Sequence, residues 1–370
     1  MPKIEAIITE RVIVPIKPEW IITGGAGTHD RSPFLIIRVR AEGLEGIGEV
    51  SGTYLWSGEG FDTAEAAIKN VISPVLLGQT FAPRTSRRAM DRALAGFPFT
   101  KAGIEMALWD LLGKSCGVSV GVLLGGPVRS SVMSKFSISG VAPERAAAIA
   151  QQAWEAGFRK FKVKVGTGLV NDLERAAAVR RVLGEKVSLA VDANGGWSLG
   201  EARLALSRLE ELRIGAIEQP LPADHLHETS ALRAHSRIPI LLDESVWSST
   251  DVVTVARIEA ADAVNLYVGK AGGIWPALEA SQVAKAAGLG ATMGSNLELG
   301  VGHAAILQVL SASTGFDLET YAPDVAAPLY YAADLVEPAF SIKEGAVPVP
   351  DGPGLGIRLN EEVLRKFRVS

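Results

Sequence analysis

The chain has 370 residues, 48% of them hydrophobic and 21% charged, with a net charge of −4 at neutral pH. That composition is globular, and its interspersed charges exclude a nucleic-acid or anionic-membrane footprint. The single cysteine, Cys116, rules out an internal disulfide and a cysteine-based metal site, and no apolar run reaches the ~20 residues that span a bilayer.

Glu5, Glu10 and Arg11 interrupt the apolar stretch a signal peptide requires, so a cytoplasmic protein is expected. "KIEAIITERVIVPI" alternates loosely, and "PFLIIRVRAEGLEGIGEV" reads as two strands joined at Glu42–Gly43. The loop "EWIITGGAGTHDRS" lies between them. After "SGTYLWSGEG" the pattern turns helical through "TAEAAIKNVISPVLLG", "APRTSRRAMDRAL" and "TKAGIEMALWDLLGKSCG".

From residue 131 short apolar strands alternate with helical segments. Lys164, Asp192, Glu218, Asp243, Tyr267 and Gly294 fall 28, 26, 25, 24 and 27 residues apart. Strand, turn, helix and loop recurring about every 25 residues is the pattern of a parallel β/α array. Eight such strands, from "SKFSISG" to "FDLET", predict an α/β fold with a closed TIM-type barrel. The proline- and glycine-rich tail is expected to return to the N-terminal region.

Chemistry in such barrels sits at the C-terminal ends of the strands. "LAVD", "GAIE" and "ILLD" each end in a carboxylate: Asp192, Glu218 and Asp243. Each acid could simply cap the helix that follows. Three on successive strands instead suit a hard cation, because converging anions without one repel. All-oxygen ligation points to Mg²⁺. In "FKVKVG", Lys162 and Lys164 share a strand face beside Asp192. A snorkelling edge-strand pair is the plainer alternative, but a closed barrel has no free edge. Lys164, nearer the rim, is placed to be a general base, with Lys162 as the charge that tunes it. A small-molecule carboxylate on the metal would lose its α-proton to Lys164, the enediolate being stabilised by the ion.

"AGIEMALWDLLGK", "LLGG", "FKVKVG", "VDANGGW", "IEQPL", "LLDESV", "KAGGI" and "PDGPGLGI" together resemble, in order and along nearly the whole chain, the enolase superfamily and its muconate-cycloisomerase-like branch. The resemblance implies a modified (β/α)7β barrel over 131–334 and an α+β capping domain of 1–130, completed by 335–370. It implies Mg²⁺ on Asp192, Glu218 and Asp243, with Lys164 as acid/base residue. Loops around 20–32 and 51–58 would close over the substrate. A Lys base with Mg²⁺ is an established pattern of this superfamily.

One position departs from the pattern. "VNLYVGKAGG" keeps Lys270 but has Tyr267 where the branch carries a second catalytic lysine. Strand alternation would put Lys270 on the other face. Tyrosine, with a pKa near 10, is a poor base at neutral pH. Racemases, which need a proton carrier on each face, therefore fit less well than one-base reactions, β-elimination or cycloisomerisation. An epimerase using Tyr267 or water on the second face is the alternative, and a catalytically silent metal-binding barrel is a third reading. Asn194, Glu298, Asp317, Glu319, Tyr54 and Trp56 are the candidate substrate-binding residues. A homo-oligomer is expected, as for many large enzymes.

Overall fold

In the computed structural model, which describes residues 3–24 and 27–369, the N-terminal alternation becomes an antiparallel sheet. Its strands are β1 (Ala6–Pro15), β2 (Arg31–Ala41) and β3 (Leu44–Val50), in that order. Glu42 and Gly43 turn β2 into β3 with φ of 46° and 77°. Leu35, Ile37 and Val39 pack against Ile68, Ile72 and Leu76 of the helical segment that follows. Helix Pro98–Cys116 is buried along most of its length, as its mixed apolar surface requires. It lies close on β3 because Gly48 has no side chain; a Cβ there would overlap Gly103 O.

The barrel sheet has seven parallel strands in sequential order. They are β4 (Lys135–Ile138), β5 (Lys160–Lys164), β6 (Ser188–Asp192), β7 (Ile217–Glu218), β8 (Ile240–Leu242), β9 (Ala263–Leu266) and β10 (Gly290–Met293). The helices between them are one-sided. Leu199–Glu211 starts with a capping box of Ser198 and Glu201 and turns Ala202, Ala205, Leu206 and Leu209 inward.

The expected eighth strand is a correction. "FDLET" forms a turn, in which Thr320 N–H donates to Asp317 Oδ1 at 3.2 Å. That local bond competes with strand pairing, and Pro323 has no N–H to contribute. Irregular chain bridges β10 and β4 instead. Asp317 N and Asp324 N donate to Ala291 O and Met293 O at 2.9 Å, and Lys135 N donates to Pro323 O at 3.0 Å.

The tail packs back on the N-terminal sheet. Val336–Glu337 pairs with Arg358–Leu359, helix Glu361–Phe367 follows, and Val369 N donates to Arg11 O at 3.0 Å. Arg38 of β2 ties Glu10, Glu45 and Glu361 together. Among the described residues no helix is long and apolar enough to cross a membrane.

Candidate active site

Register places the strand-end groups side by side. Lys164 pairs with Asp192 across β5 and β6, and Asp192 with Glu218 across β6 and β7. Lys164 Nζ donates to Asp192 Oδ2 at 2.7 Å and to Asn194 Oδ1 at 2.8 Å. Lys162 Nζ, fully buried, donates to Glu218 Oε1 at 3.0 Å and Asp324 Oδ2 at 3.1 Å, and lies 3.1 Å from Asp192 Oδ2. Burial alone would lower the Lys162 pKa. The carboxylates of Asp324, Glu218 and Asp192 outweigh it and hold this ammonium well above the ordinary lysine value. Lys162 is thus a fixed charge.

The acids are held unequally: burial would raise the Asp192 carboxyl, but Lys164 and Lys162 hold it well below its ordinary value. Burial, then Asp192, pushes the Glu218 carboxyl up to about 7. Burial, then Asp243 and Asp192, pushes Glu244 up to about 8. Glu244 Oε2 and Asn265 Oδ1 are buried without a partner, and Asn194 Nδ2 donates to Glu244 Oε1 at 2.8 Å. Among the described residues no three acids are arranged to hold a metal ion, and Lys162, Lys164, Lys270 and Tyr267 lie on the carboxylate oxygens of Asp192, Glu218 and Asp243. Orphaned oxygens and raised carboxyls nevertheless fit a hard divalent ion with oxygen ligands.

Lys270 corrects the alternation argument. The chain leaves β9 at Leu266 and enters a helical turn, Val268–Ala271. The turn swings Lys270 back, so its buried Nζ donates to Asp243 O at 2.7 Å, to Asp243 Oδ1 and to Asn265 O at 2.9 Å. Tyr267 OH donates to Asp243 Oδ2 at 2.6 Å. Burial, reinforced by Asp243, raises the phenol well above its ordinary pKa, so it stays protonated. Its ring stacks on Trp56 at 5.3 Å and 15°, and Trp56 stacks on Trp247 at 5.3 Å. Gly294 makes room: a Cβ there would lie 2.0 Å from the Tyr267 ring.

A cavity of about 390 Å³ opens over Lys164, Lys162, Asn194 and Tyr267 and is bounded by Tyr54 and Trp56. Of the residues 20–32 expected to cover it, Ile22, Thr28 and Arg31 line it, and Gly25 and Ala26 lie outside the described residues. Three sequence candidates are not brought there. Asp317 bonds at Ala291 and the Glu319 carbonyl accepts from Lys160 Nζ, at the opposite, N-terminal end of the barrel. Glu298 turns away behind Leu297 (φ 57°), accepting from Ser295 Oγ and Asn296 N.

Two elements in which the sequence singles out no site residue supply the floor: β4, with Lys135 and Ser137, and the irregular chain that carries Asp324. Lys135 of β4 lies 3.0 Å from Asp324 Oδ2, and Ser137 Oγ donates to Asp324 Oδ1 at 3.1 Å. Burial would raise the Asp324 carboxyl, but Lys135 and Lys162 hold it down at about 2. The inward alternation of Lys135 and Ser137 was the available signal for the first. Asp324 lies in irregular chain and gives none.

Comparison with known proteins settles the family. Residues 3–125 match the mandelate racemase / muconate lactonizing enzyme N-terminal domain, and residues 145–363 match the enolase C-terminal domain-like family. The chain belongs to the muconate-lactonizing-enzyme branch of the enolase superfamily. It is 30% identical to an N-succinyl-L-Arg/Lys racemase of Bacillus cereus, over 99% of this chain and 98% of that protein. It is 32% identical to a chloromuconate cycloisomerase of Cupriavidus necator, over 99% of both. The solved muconate lactonizing enzyme from Pseudomonas fluorescens, complexed with muconolactone, superposes with a TM-score of 0.94 at 30% identity, covering 100% of both chains. The protein is therefore an enzyme of the muconate-cycloisomerase-like kind, in a branch whose members include racemases as well as cycloisomerases.

Proposed function

We propose that this enzyme uses Lys164 to remove the proton α to the carboxylate of a small-molecule acid, and that β-elimination or cycloisomerisation follows. Asp192, Glu218 and Asp243 would hold Mg²⁺, which when bound draws in the substrate carboxylate and stabilises the charge that develops as the proton leaves. Lys164 borders the cavity from one side, with Asn194 fixing its ammonium at 2.8 Å. Lys162 beneath it keeps its proton and stands as a fixed positive charge at the base of the site.

The observation that carries the reading is Tyr267. A buried phenol hydrogen-bonded to Asp243, with its pKa raised, can give a hydrogen bond or a proton to a departing group but cannot collect one at neutral pH. In this reading Tyr267 does not serve as a second base on the face opposite Lys164. The test is Lys164→Ala. Turnover should vanish while Mg²⁺ affinity by calorimetry stays within a few-fold of the parent. Full activity in that variant would remove Lys164 from the mechanism.

A further inference from the structure

Taking Lys164 as a base acting on a carboxylate, we infer that the substrate is a monoanion. Its carboxylate is its one charge, and the rest of its carbon skeleton is uncharged and predominantly apolar. This rests on the reading above and narrows it to a substrate class.

Beyond the lysines the cavity rises under the capping loops, walled by Ile22, Pro33, Leu55, Trp56, Leu297 and Ala327. Among the described residues, the charged groups that border it already have partners. Asp324 is held by Lys135, Lys162 and Ser137. It cannot receive a substrate ammonium without weakening its hold on buried Lys135. Arg31 stands at the rim, 67% exposed and 3.4 Å from Asp30, where a distal carboxylate would gain little. A second substrate charge would leave water without a counterpart, which is unfavourable.

Several neutral polar groups of the wall are engaged as well. Asn296 Nδ2 donates to Ser51 O at 2.6 Å, Ser295 Oγ donates to Glu298, and Thr28 Oγ1 lies 3.0 Å from Thr23 Oγ1. A polyhydroxylated acid would find few of them open. Leu55 is an independent sign. At 80% it is the most exposed large apolar side chain among the described residues, yet it forms part of the cavity wall. An apolar substituent lying against it takes that surface out of water.

Four acids of equal chain length separate the possibilities: hexanoate, gluconate, hexanedioate and 6-aminohexanoate. Their binding to the Mg²⁺-loaded protein is measured by calorimetry. Hexanoate should bind at least about tenfold more tightly than each of the others. Leu55→Asn should weaken hexanoate several-fold and leave Mg²⁺ affinity as it was. A preference below tenfold over any one of the three, undetectable hexanoate binding included, overturns the inference. So does tighter binding of hexanedioate that is lost in Arg31→Met, which would make the substrate a dianion read by Arg31. Failure of the base assignment would appear separately, as turnover in Lys164→Ala, and would leave this ranking intact.

Discussion

Replacing Tyr267 with phenylalanine removes one oxygen and leaves the aromatic wall standing. The ring keeps its stack on Trp56 at 5.3 Å and its place 4.4 Å from Lys270 Nζ. What disappears is the 2.6 Å bond to Asp243 Oδ2. A hydrogen bond to a charged group contributes about 1.5–3 kcal/mol. Asp243 retains Lys270 on Oδ1 and Asn265 Nδ2 at 3.4 Å on Oδ2, so it is not stranded. The loss should lie near the lower end, about 1.5 kcal/mol. Tyr267→Ala also removes the buried ring and should cost about 3–5 kcal/mol. Urea unfolding in EDTA, followed by tryptophan fluorescence, measures both. With Mg²⁺ the order should invert for phenylalanine, whose metal affinity should rise several-fold because Asp243 Oδ2 no longer has to release a donor. Equal damage from Phe and Ala, or weaker Mg²⁺ binding in Tyr267→Phe, would refute the account of this wall.

Further outcomes follow from the same geometry. Asp317→Asn combined with Glu319→Gln should leave kcat/KM within about twofold, since both side chains lie at the far end of the barrel, whereas Asp324→Asn should lower it at least about tenfold by removing the negative charge that Lys135 and Lys162 share. His303 is buried with both ring nitrogens unpartnered, and burial lowers its pKa from 6.5 to about 3. The unfolded chain therefore binds a proton below pH 6.5 that the folded one refuses, so stability should fall by roughly 3 kcal/mol between pH 6.5 and 4. His303→Phe should flatten that limb in urea titrations at several pH values, and an unchanged acid limb would contradict it.

The strand-end acids and the lysine pair were legible because each ends an apolar run inside a regular repeat. Parallel register then brings Lys164, Asp192 and Glu218 into adjacency without further information. Legibility stopped where regular geometry stopped. Alternation misplaced Lys270 because the chain turns helical directly after Tyr267. A strand at "FDLET" would carry its acids to the rim, whereas the turn keeps them low and irregular chain delivers Asp324, seven residues after Asp317, to the site. Glu298 sits next to the rim in sequence, but the left-handed residue before it, Leu297, aims its carboxylate into the loop. Trp56 reads in the sequence as a capping-loop residue, and its stack on Tyr267 depends on the fold.

The most direct test of a one-base mechanism follows the α-carbon of a single-enantiomer substrate in D₂O with Mg²⁺. Lys164 acting alone predicts deuterium entering on one face with retained configuration in recovered substrate, and no exchange in Lys164→Ala. Inversion at the α-carbon by the parent enzyme would show a second proton carrier opposite Lys164 and contradict the account.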